Sequence, residues 1–207
     1  MKNTRRVDLK KGLITFVSVI FMGISLSVLK LIDCGLDTFT YMNTAISSAI
    51  GWSLGNWQLL LNVLMFIPVI IWGRKQIGVG TLFNMVLVGY TVDFCMWFWN
   101  KSGAERLMGN KAVYITSMIV GLIVFIFSAA TYMSTNLGTA PFDALPMIIS
   151  DRLSKIPFKV VRFLWDVLAA VIGFVLCGEI GIVTIIMILF LGQTVELVRK
   201  LVFKESK

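Results

Sequence analysis

Acidic side chains that interrupt apolar segments are the strongest candidates for chemistry in this 207-residue sequence. Asp93, Asp143 and Asp166 each lie within a largely apolar stretch, and Glu196 lies near the end of another. A carboxylate inside a membrane is costly, and it usually faces a cavity, a cation or another polar group. These residues are therefore candidates for contacting a solute or for carrying a proton.

Asp143 has two interpretations. It follows Gly138 by five residues and Pro141 by two. Proline favours the first position of a helix, and an acidic residue in the first turn compensates the helix dipole. Under the first interpretation Asp143 has only that role at a helix end. Under the second it is a proton- or cation-responsive carboxylate at a substrate site, facing Thr40 and Asn43 in the other half of the chain.

Asp166 lies nine residues into an apolar segment, about 14 Å along a helix and so near the middle of a bilayer. Arg162 precedes it by four residues on the same helix face, so an internal ion pair is available. The alternatives for Asp166 are this structural pair and a contact with a proton relay or a substrate. Asn62 occupies nearly the equivalent place in the first half, and we expect it to line the same cavity.

Asp93 and Glu196 stand at equivalent places in the two halves, near the cytoplasmic ends of their segments. Glu196 is followed by Arg199 and Lys200, which favours a solvated salt-bridge face. Asp93 has no such basic partner nearby in sequence, which favours a functional role. The predicted substrate-binding residues are Asp143, Thr40, Asn43, Pro141, Asn62 and Asp166, and the predicted proton-coupling residues are Asp93 and Asp143.

The composition predicts that these carboxylates are held by membrane-spanning helices. The sequence is 57% apolar and 14% charged, whereas soluble domains have about 45–50% apolar and about 25% charged residues. At roughly 20 apolar residues per span, the chain has material for about six to eight helices. The alternating segments typical of outer-membrane barrels are absent from the sequence. We therefore predict an all-α, polytopic membrane protein.

The sequence also argues against several classes of function. It contains no histidine, P-loop, GxGxxG or GxSxG motif, so we predict no enzyme, no cofactor and no metal site. The net charge of +8 comes from basic clusters beside apolar segments, which is typical of cytoplasmic helix ends rather than of nucleic-acid binding. Cys34, Cys95 and Cys177 have no CxxC spacing and are expected to be small buried hydrophobic side chains.

An internal repeat emerges when the sequence is compared with itself at one constant offset. Residues 77–81 match 180–184, residues 89–93 match 192–196, and residues 35–39 match 138–142. We predict one integral membrane domain, 1–207, built from two tandem repeats of about 100 residues, with repeat one at 12–100 and repeat two at 112–204. Each repeat has three full spans plus one short or broken helix. The apolar segments are 12–32, 36–51, 56–73, 77–99, 112–134, 139–153, 157–177 and 181–203.

Segments 36–51 and 139–153 are equivalent, short and polar. Paired short segments in the two halves of a transporter are the best sequence indication of its binding site. The sequence does not distinguish six membrane crossings from eight. Six crossings, three in each half, would make the two repeats inverted, and eight would make them parallel. Both alternatives put the N- and C-termini in the cytoplasm. The first segment is longer than a signal peptide core and lacks a cleavage site, so we predict a retained first span.

The stretch 136–145, Asn-Leu-Gly-Thr-Ala-Pro-Phe-Asp-Ala-Leu, resembles the G-x-x-P-[FW]-D motif of the YczE/YyaS/YitT group of bacterial membrane proteins. The length, the helix pattern and the duplicated residues 35–39 resemble that group over nearly the whole chain. The first copy departs from the motif, with Thr38 in place of the proline and Thr40 in place of the aspartate. The resemblance implies a multi-pass protein of the bacterial inner (plasma) membrane, in a largely uncharacterised group usually assigned to transport.

The leading hypothesis is a small permease that moves a low-molecular-weight solute through a site between the two repeats. The alternatives are a substrate-binding membrane subunit of a larger transport complex and a non-transporting accessory protein. The expected partners are the lipid bilayer and an unknown small-molecule solute, without nucleic acid. A homo-oligomer remains open.

Overall fold

The computed structural model describes residues 2–153, 155–177 and 179–202, and it describes the side chains of 9–153, 155–176, 179–195 and 197–198. The described residues form helices and connecting loops without a β-strand, so the all-α prediction is confirmed. Two short 3-10 helices lie at Arg74–Gln76 and Ala104–Gly109. The eight α-helices are α1 (Lys2–Leu31), α2 (Thr38–Ile50), α3 (Leu54–Trp72), α4 (Val79–Ser102), α5 (Lys111–Ser134), α6 (Pro141–Arg152), α7 (Phe158–Cys177) and α8 (Ile182–Val202).

Within the part of the chain that the structure describes, four helices are long and apolar enough to cross a membrane, namely Leu9–Leu31 within α1, and α3, α4 and α5. Their outward faces carry large exposed apolar side chains, among them Ile67, Phe94 and Ile123. A surface of this kind would be a liability in water, whereas lipid solvates it. The chain is therefore an integral membrane protein with transmembrane helices, as its composition predicts.

The two segments predicted to be short are short helices. With 13 and 12 residues, α2 and α6 are about 20 Å and 18 Å long at 1.5 Å per residue, less than the ~30 Å of a bilayer core. The side chain of Asp37 caps α2 by accepting a hydrogen bond from the amide of Thr40, and Gly51 ends it in the left-handed conformation. Pro141, at the first position of α6, starts that helix, as predicted.

Helix contacts fix the relative directions of the long helices. Thr15 donates a hydrogen bond to Thr135 near the start of α1, and Leu29 packs against Gly121 near its end. α1 and α5 are therefore antiparallel. Thr15 also packs against Gly80, so the N-terminal parts of α1 and α4 lie together. Their C-terminal parts meet where Trp99 donates a hydrogen bond to Ser27 (3.0 Å), so α1 and α4 are parallel.

The short helices start near the middle of the bundle and run in opposite directions. Thr38, at the start of α2, bonds to Asp166 near the middle of α7, and Tyr41 packs against Gly173, nearer the end of that helix. α6 runs beside α3 towards its C-terminal end, where Ile148 contacts Gly73. The starts of α2 and α6 meet through the rings of Phe39 and Phe142, whose centroids are 4.5 Å apart.

The loops that precede the short helices have closely similar backbones. Asp33 and Gly35 have φ angles of 50° and 107°, and Asn136 and Gly138 have φ angles of 54° and 107°. The first loop accepts a hydrogen bond from the start of α8, Val183 N to Cys34 O at 2.9 Å. The second accepts one from the start of α4, Gly80 N to Leu137 O at 2.7 Å. Each loop therefore packs against a helix start in the other half of the chain.

Glycine is required in these loops both by conformation and by space. A Cβ at Gly138 would lie 2.9 Å from Cα of Gly78, and a Cβ at Gly35 would lie 2.8 Å from the amide nitrogen of Thr184.

Cys34, in the first loop, is a buried free thiol, as predicted, whereas the free thiol of Cys95 is half-buried. The side chain of Cys177 lies outside the described side chains.

We predict that Gly138→Ala lowers the free energy of unfolding by about 1–3 kcal/mol, because alanine would be held in a strained left-handed backbone against Gly78. Gly109→Ala is the control, since nothing lies within 4 Å of the added Cβ, and we expect it to change stability by less than about 0.5 kcal/mol. Unfolding of the purified protein in mixed detergent micelles measures both. Equal effects of the two substitutions would contradict the tight loop packing.

Candidate functional site

An arginine between two aspartates forms the charged centre of the molecule. Arg162 on α7 donates through Nη1 to Oδ1 of Asp143 on α6. Through Nε it donates to Oδ2 of Asp166 at 2.8 Å, four residues later on its own helix. The predicted pair between Arg162 and Asp166 is therefore present, and Asp143 completes it from another helix. Such charges are stable away from water only when they are paired and hydrogen-bonded.

The same centre extends to α2. Thr38 donates its hydroxyl hydrogen to Oδ1 of Asp166 at 2.7 Å, so both carboxylate oxygens of this buried residue are occupied. The guanidinium of Arg162 also lies over the ring of Phe142, with Cζ 5.5 Å from the centroid. Residues of α2, α6 and α7 are thus joined in one network at the place where the two short helices start.

A cavity of about 350 Å³ opens beside this network. Its polar lining includes Asp37, Asp143 and Arg162, together with the amides Gln58 and Asn84. The volume lies within the range of small-ligand pockets, about 300–1,000 Å³. The remaining lining residues are Met22, Leu26, Thr38, Phe39, Thr40, Val88, Phe125, Ala129, Met133, Ala140, Phe142, Met147, Phe158, Leu191, Gly192 and Val195.

Two oxygen atoms in the lining residues are buried hydrogen-bond acceptors without a partner. Asp37 uses Oδ1 to accept from the amide of Thr40 at 3.2 Å, but its Oδ2 has no hydrogen-bond partner. Oε1 of Gln58 also has none, although this residue is only 1% exposed. Buried acceptors are normally paired, so those left over in a cavity are candidates for contacting a ligand.

The predicted binding residues are brought together in part. Asp143 and Thr40 line the cavity, and Asp166 reaches it through its bonds to Arg162 and Thr38. Pro141 starts α6 and is not itself among the lining residues. The site therefore contains Asp143 and Asp166, two of the carboxylates that the sequence indicates, whereas Pro141 begins the helix that carries Asp143.

Asn43 and Asn62 lie outside the lining of this cavity, and the binding role predicted for them stays a prediction. Both are fully buried, but neither is among the residues that line the cavity. Asn43 donates through Nδ2 to the carbonyl oxygen of Phe39 on its own helix at 2.7 Å. Asn62 directs its amide nitrogen towards the carbonyl oxygen of Met85 at 3.5 Å. The amide nitrogens are thus directed at backbone carbonyl oxygens, whereas Oδ1 of each residue is a buried acceptor without a partner.

Asp93 lies apart from the cavity and stabilises the start of a helix. Its Oδ2 accepts a hydrogen bond from the amide of Gly55 in the first turn of α3, at 2.7 Å. An unpaired amide at a helix start is a natural partner for a carboxylate, which accounts for Asp93 without proton coupling. The proton-coupling role remains a prediction. The side chain of Glu196 lies outside the described side chains.

Sequence reasoning did not select Asp37, Gln58 or Asn84 for the site. Asp37 lies within the polar short segment 36–51 and is the only acidic residue between 34 and 92, a signal that could have identified it. Gln58 and Asn84 are isolated amides in otherwise apolar segments. Their importance becomes visible only when α3 and α4 bring them to the same cavity.

We predict that Asp166→Ala lowers the free energy of unfolding by about 3–5 kcal/mol, because it removes a buried carboxylate that pairs with half-buried Arg162 and accepts from Thr38. Asp151→Ala, at an exposed site near the end of α6, is the matched control, and a change below about 0.5 kcal/mol is expected there. Detergent unfolding monitored by tryptophan fluorescence measures the difference. Indistinguishable stabilities would show that the network does not hold the helices together.

Comparison with known proteins gives a family without an assigned activity. The sequence model of a family of unknown function, DUF6198, matches residues 9–200. The chain is 26% identical over 184 residues to the uncharacterized protein YyaS of Bacillus subtilis, covering 86% of this chain and 85% of that one. It is 23% identical over 137 residues to the uncharacterized membrane protein YczE of the same organism, covering 65% and 59%. The resemblance to YczE and YyaS is therefore confirmed.

A third relative is an uncharacterized protein of Haemophilus influenzae, 21% identical over 180 residues, which cover 84% of this chain and 77% of that one. No solved structure matches this chain.

Proposed function

Because this chain belongs to DUF6198, a family of unknown function, we start from its own site and propose that it is a permease for a small solute. The observation that carries the proposal is the cavity of about 350 Å³ at the meeting point of two short helices, lined by Asp37, Asp143 and Arg162. Transporter sites typically lie where discontinuous helices end inside the membrane. Carboxylates, a guanidinium and amides in this lining suit binding and release of a polar solute.

The proposed architecture is two inverted repeats, each with three crossing helices and one short helix that enters the membrane and returns. α2 and α6 begin 103 residues apart, at positions 38 and 141, and α4 and α8 begin 103 residues apart, at 79 and 182. The matching φ angles at Gly35 and Gly138 support the same correspondence. α1 and its counterpart α5 are antiparallel, which favours inversion. In this topology Asp93 lies towards the outer end of α4, not near the cytoplasmic end predicted from the sequence. α7, which corresponds to α3, is then a crossing helix despite its charged pair.

The proposed location is the bacterial inner membrane, with both termini in the cytoplasm. With six crossings, only Lys30, Lys101, Arg106 and Lys111 of the 19 Lys and Arg residues face outwards. The other 15 lie towards the cytoplasm or inside the bundle, in agreement with the positive-inside rule. Arg152 over the ring of Trp72, 4.6 Å from its centroid, suits the inner interface, where aromatic and basic side chains anchor helix ends.

In this proposal the solute contacts the cavity-facing oxygens of Asp37 and Asp143 while Arg162 fixes the carboxylate of Asp143. The two halves make equivalent loop contacts with each other, which provides two similar surfaces for rocking around a central site. Alternating access by such rocking is the usual mechanism of transporters with inverted repeats. Asp143 combines a place in the lining with an ion pair, so it is also the better candidate for proton coupling than Asp93.

The first test is a thermal stabilisation screen of the detergent-purified protein against a library of metabolites and ions. A ligand that binds only the folded state raises the melting temperature by mass action. We predict that a stabilising solute is found, that Asp143→Asn weakens its effect, and that proteoliposomes containing the protein transport it. A bound solute without flux would instead favour a binding subunit of a larger complex. Absence of any ligand would favour an accessory protein.

A second prediction is that Gly192→Phe abolishes both solute stabilisation and flux while the protein still folds. Gly192 lines the cavity, and nothing lies within 4 Å of an added Cβ, so the ring is expected to occupy the space of the solute. Gly12→Phe on α1 is the matched control, because its Cβ is also unobstructed and the residue is not among the lining residues. Unchanged flux in Gly192→Phe would contradict passage through this cavity.

A further inference from the structure

We propose that the cavity binds a small organic cation, a protonated amine attached to an apolar body, and that Asp37 is its main charged ligand. The inference rests on the proposed function, because it names the chemical class of the solute for the same cavity. It depends on the balance of charges, on the unpaired acceptors and on the apolar walls.

The charge balance at the cavity is negative. Among the described residues of the cavity and its network, three carboxylates, Asp37, Asp143 and Asp166, stand against one guanidinium, that of Arg162. Arg162 is committed to Asp143 and Asp166. Neither of these ion pairs includes Asp37, whose described partners are the amide and the hydroxyl group of Thr40, both of them neutral. The N-terminal dipole of α2, equivalent to about half a charge, offsets Asp37 only in part.

The unpaired polar atoms also require a donor. Oδ2 of Asp37 and Oε1 of Gln58 are buried acceptors without a hydrogen-bond partner, and Gln58 is 1% exposed. A protonated primary amine offers three N–H donors and no acceptor, so it suits a lining that contains unpaired acceptors. A carboxylate or phosphate ligand would add acceptors and negative charge to a lining that already has both in excess.

The walls favour an organic cation over an inorganic one. Apolar side chains from α1, α4 and α5 form much of the lining, including Leu26, Val88 and Phe125. A metal cation such as Ca²⁺ requires about 6–8 oxygen ligands in close contact, whereas most of the residues that line this cavity are apolar. An amine with an apolar body matches both the carboxylates and the apolar side chains of the lining.

Arg162 does not convert this cavity into an anion site. Its Nη1 donates to Asp143 and its Nε donates to Asp166, which uses two edges of the guanidinium. An incoming anion would have to compete with these two carboxylates and would also approach the uncompensated Asp37. The role of Arg162 is therefore to position the carboxylates, and the charge left over for a ligand is that of Asp37.

The test compares three probes of similar shape on the full-length protein in detergent: 2-phenylethylamine, 2-phenylethanol and phenylacetate, which are cationic, neutral and anionic at neutral pH. Binding is measured by calorimetry and by melting temperature. We expect the amine to bind at least tenfold more tightly than the other two. Asp37→Asn should weaken amine binding at least tenfold, because asparagine keeps the helix-capping oxygen but removes the charge.

Asp33→Asn is the matched control, since Asp33 is an exposed acid in the same loop with a left-handed backbone that asparagine tolerates. We expect it to leave amine binding unchanged. Equal binding of the alcohol, preference for phenylacetate, lack of amine binding by the folded protein, or equal loss in both variants would overturn the cationic class. Each of these results leaves the permease proposal to be decided by flux of the screened solute and by Gly192→Phe.

Discussion

The arrangement of this protein depends on the need of one half-buried guanidinium, that of Arg162, for two carboxylates. Arg162 lies in a largely apolar helix, and an unpaired charge there would be strongly destabilising. Asp166 supplies one partner from the same helix, and Asp143 supplies the other from α6. Because Asp166 also accepts the hydroxyl group of Thr38, satisfying this one arginine fixes the start of α2 as well. The electrostatic requirement thus determines where two short helices meet.

The cavity exists because the two short helices, α2 and α6, both begin inside the bundle. Helices of 12 and 13 residues cannot extend through a bilayer, so each must begin beside other protein groups that satisfy its first amides. Asp37 performs this role for α2 with one oxygen and leaves the other unpaired. The two preceding loops are anchored on the starts of α8 and α4, which holds polar backbone away from lipid. Polar groups are therefore concentrated at the starts of α2 and α6, where they line a cavity that long apolar helices alone would not form.

Much of the fold could be predicted from the sequence, because the length of each apolar segment can be read directly from consecutive residues and indicates how long its helix is. The predicted short segments 36–51 and 139–153 contain α2 and α6, and spacing of four residues anticipates the pair between Arg162 and Asp166. The contact between Thr38 and Asp166 joins residues 128 positions apart, and no local pattern encodes it. Asn43 was expected at the site, but its side chain bonds to its own helix instead. Asp37 could have been identified as the only acidic residue between 34 and 92, but its unpaired oxygen is visible only in three dimensions.

The central claim is that water and solute reach a cavity between the starts of two short helices inside the membrane. The most direct measurement is the rate at which a charged, water-soluble thiol reagent labels Met147→Cys in lipid vesicles, in a background with Cys95 and Cys177 replaced by serine. Met147 lines the cavity, whereas Leu64, exposed on α3, provides a lipid-facing control as Leu64→Cys. The account predicts rapid labelling at position 147 and little at position 64. Equally slow labelling at both positions would contradict it.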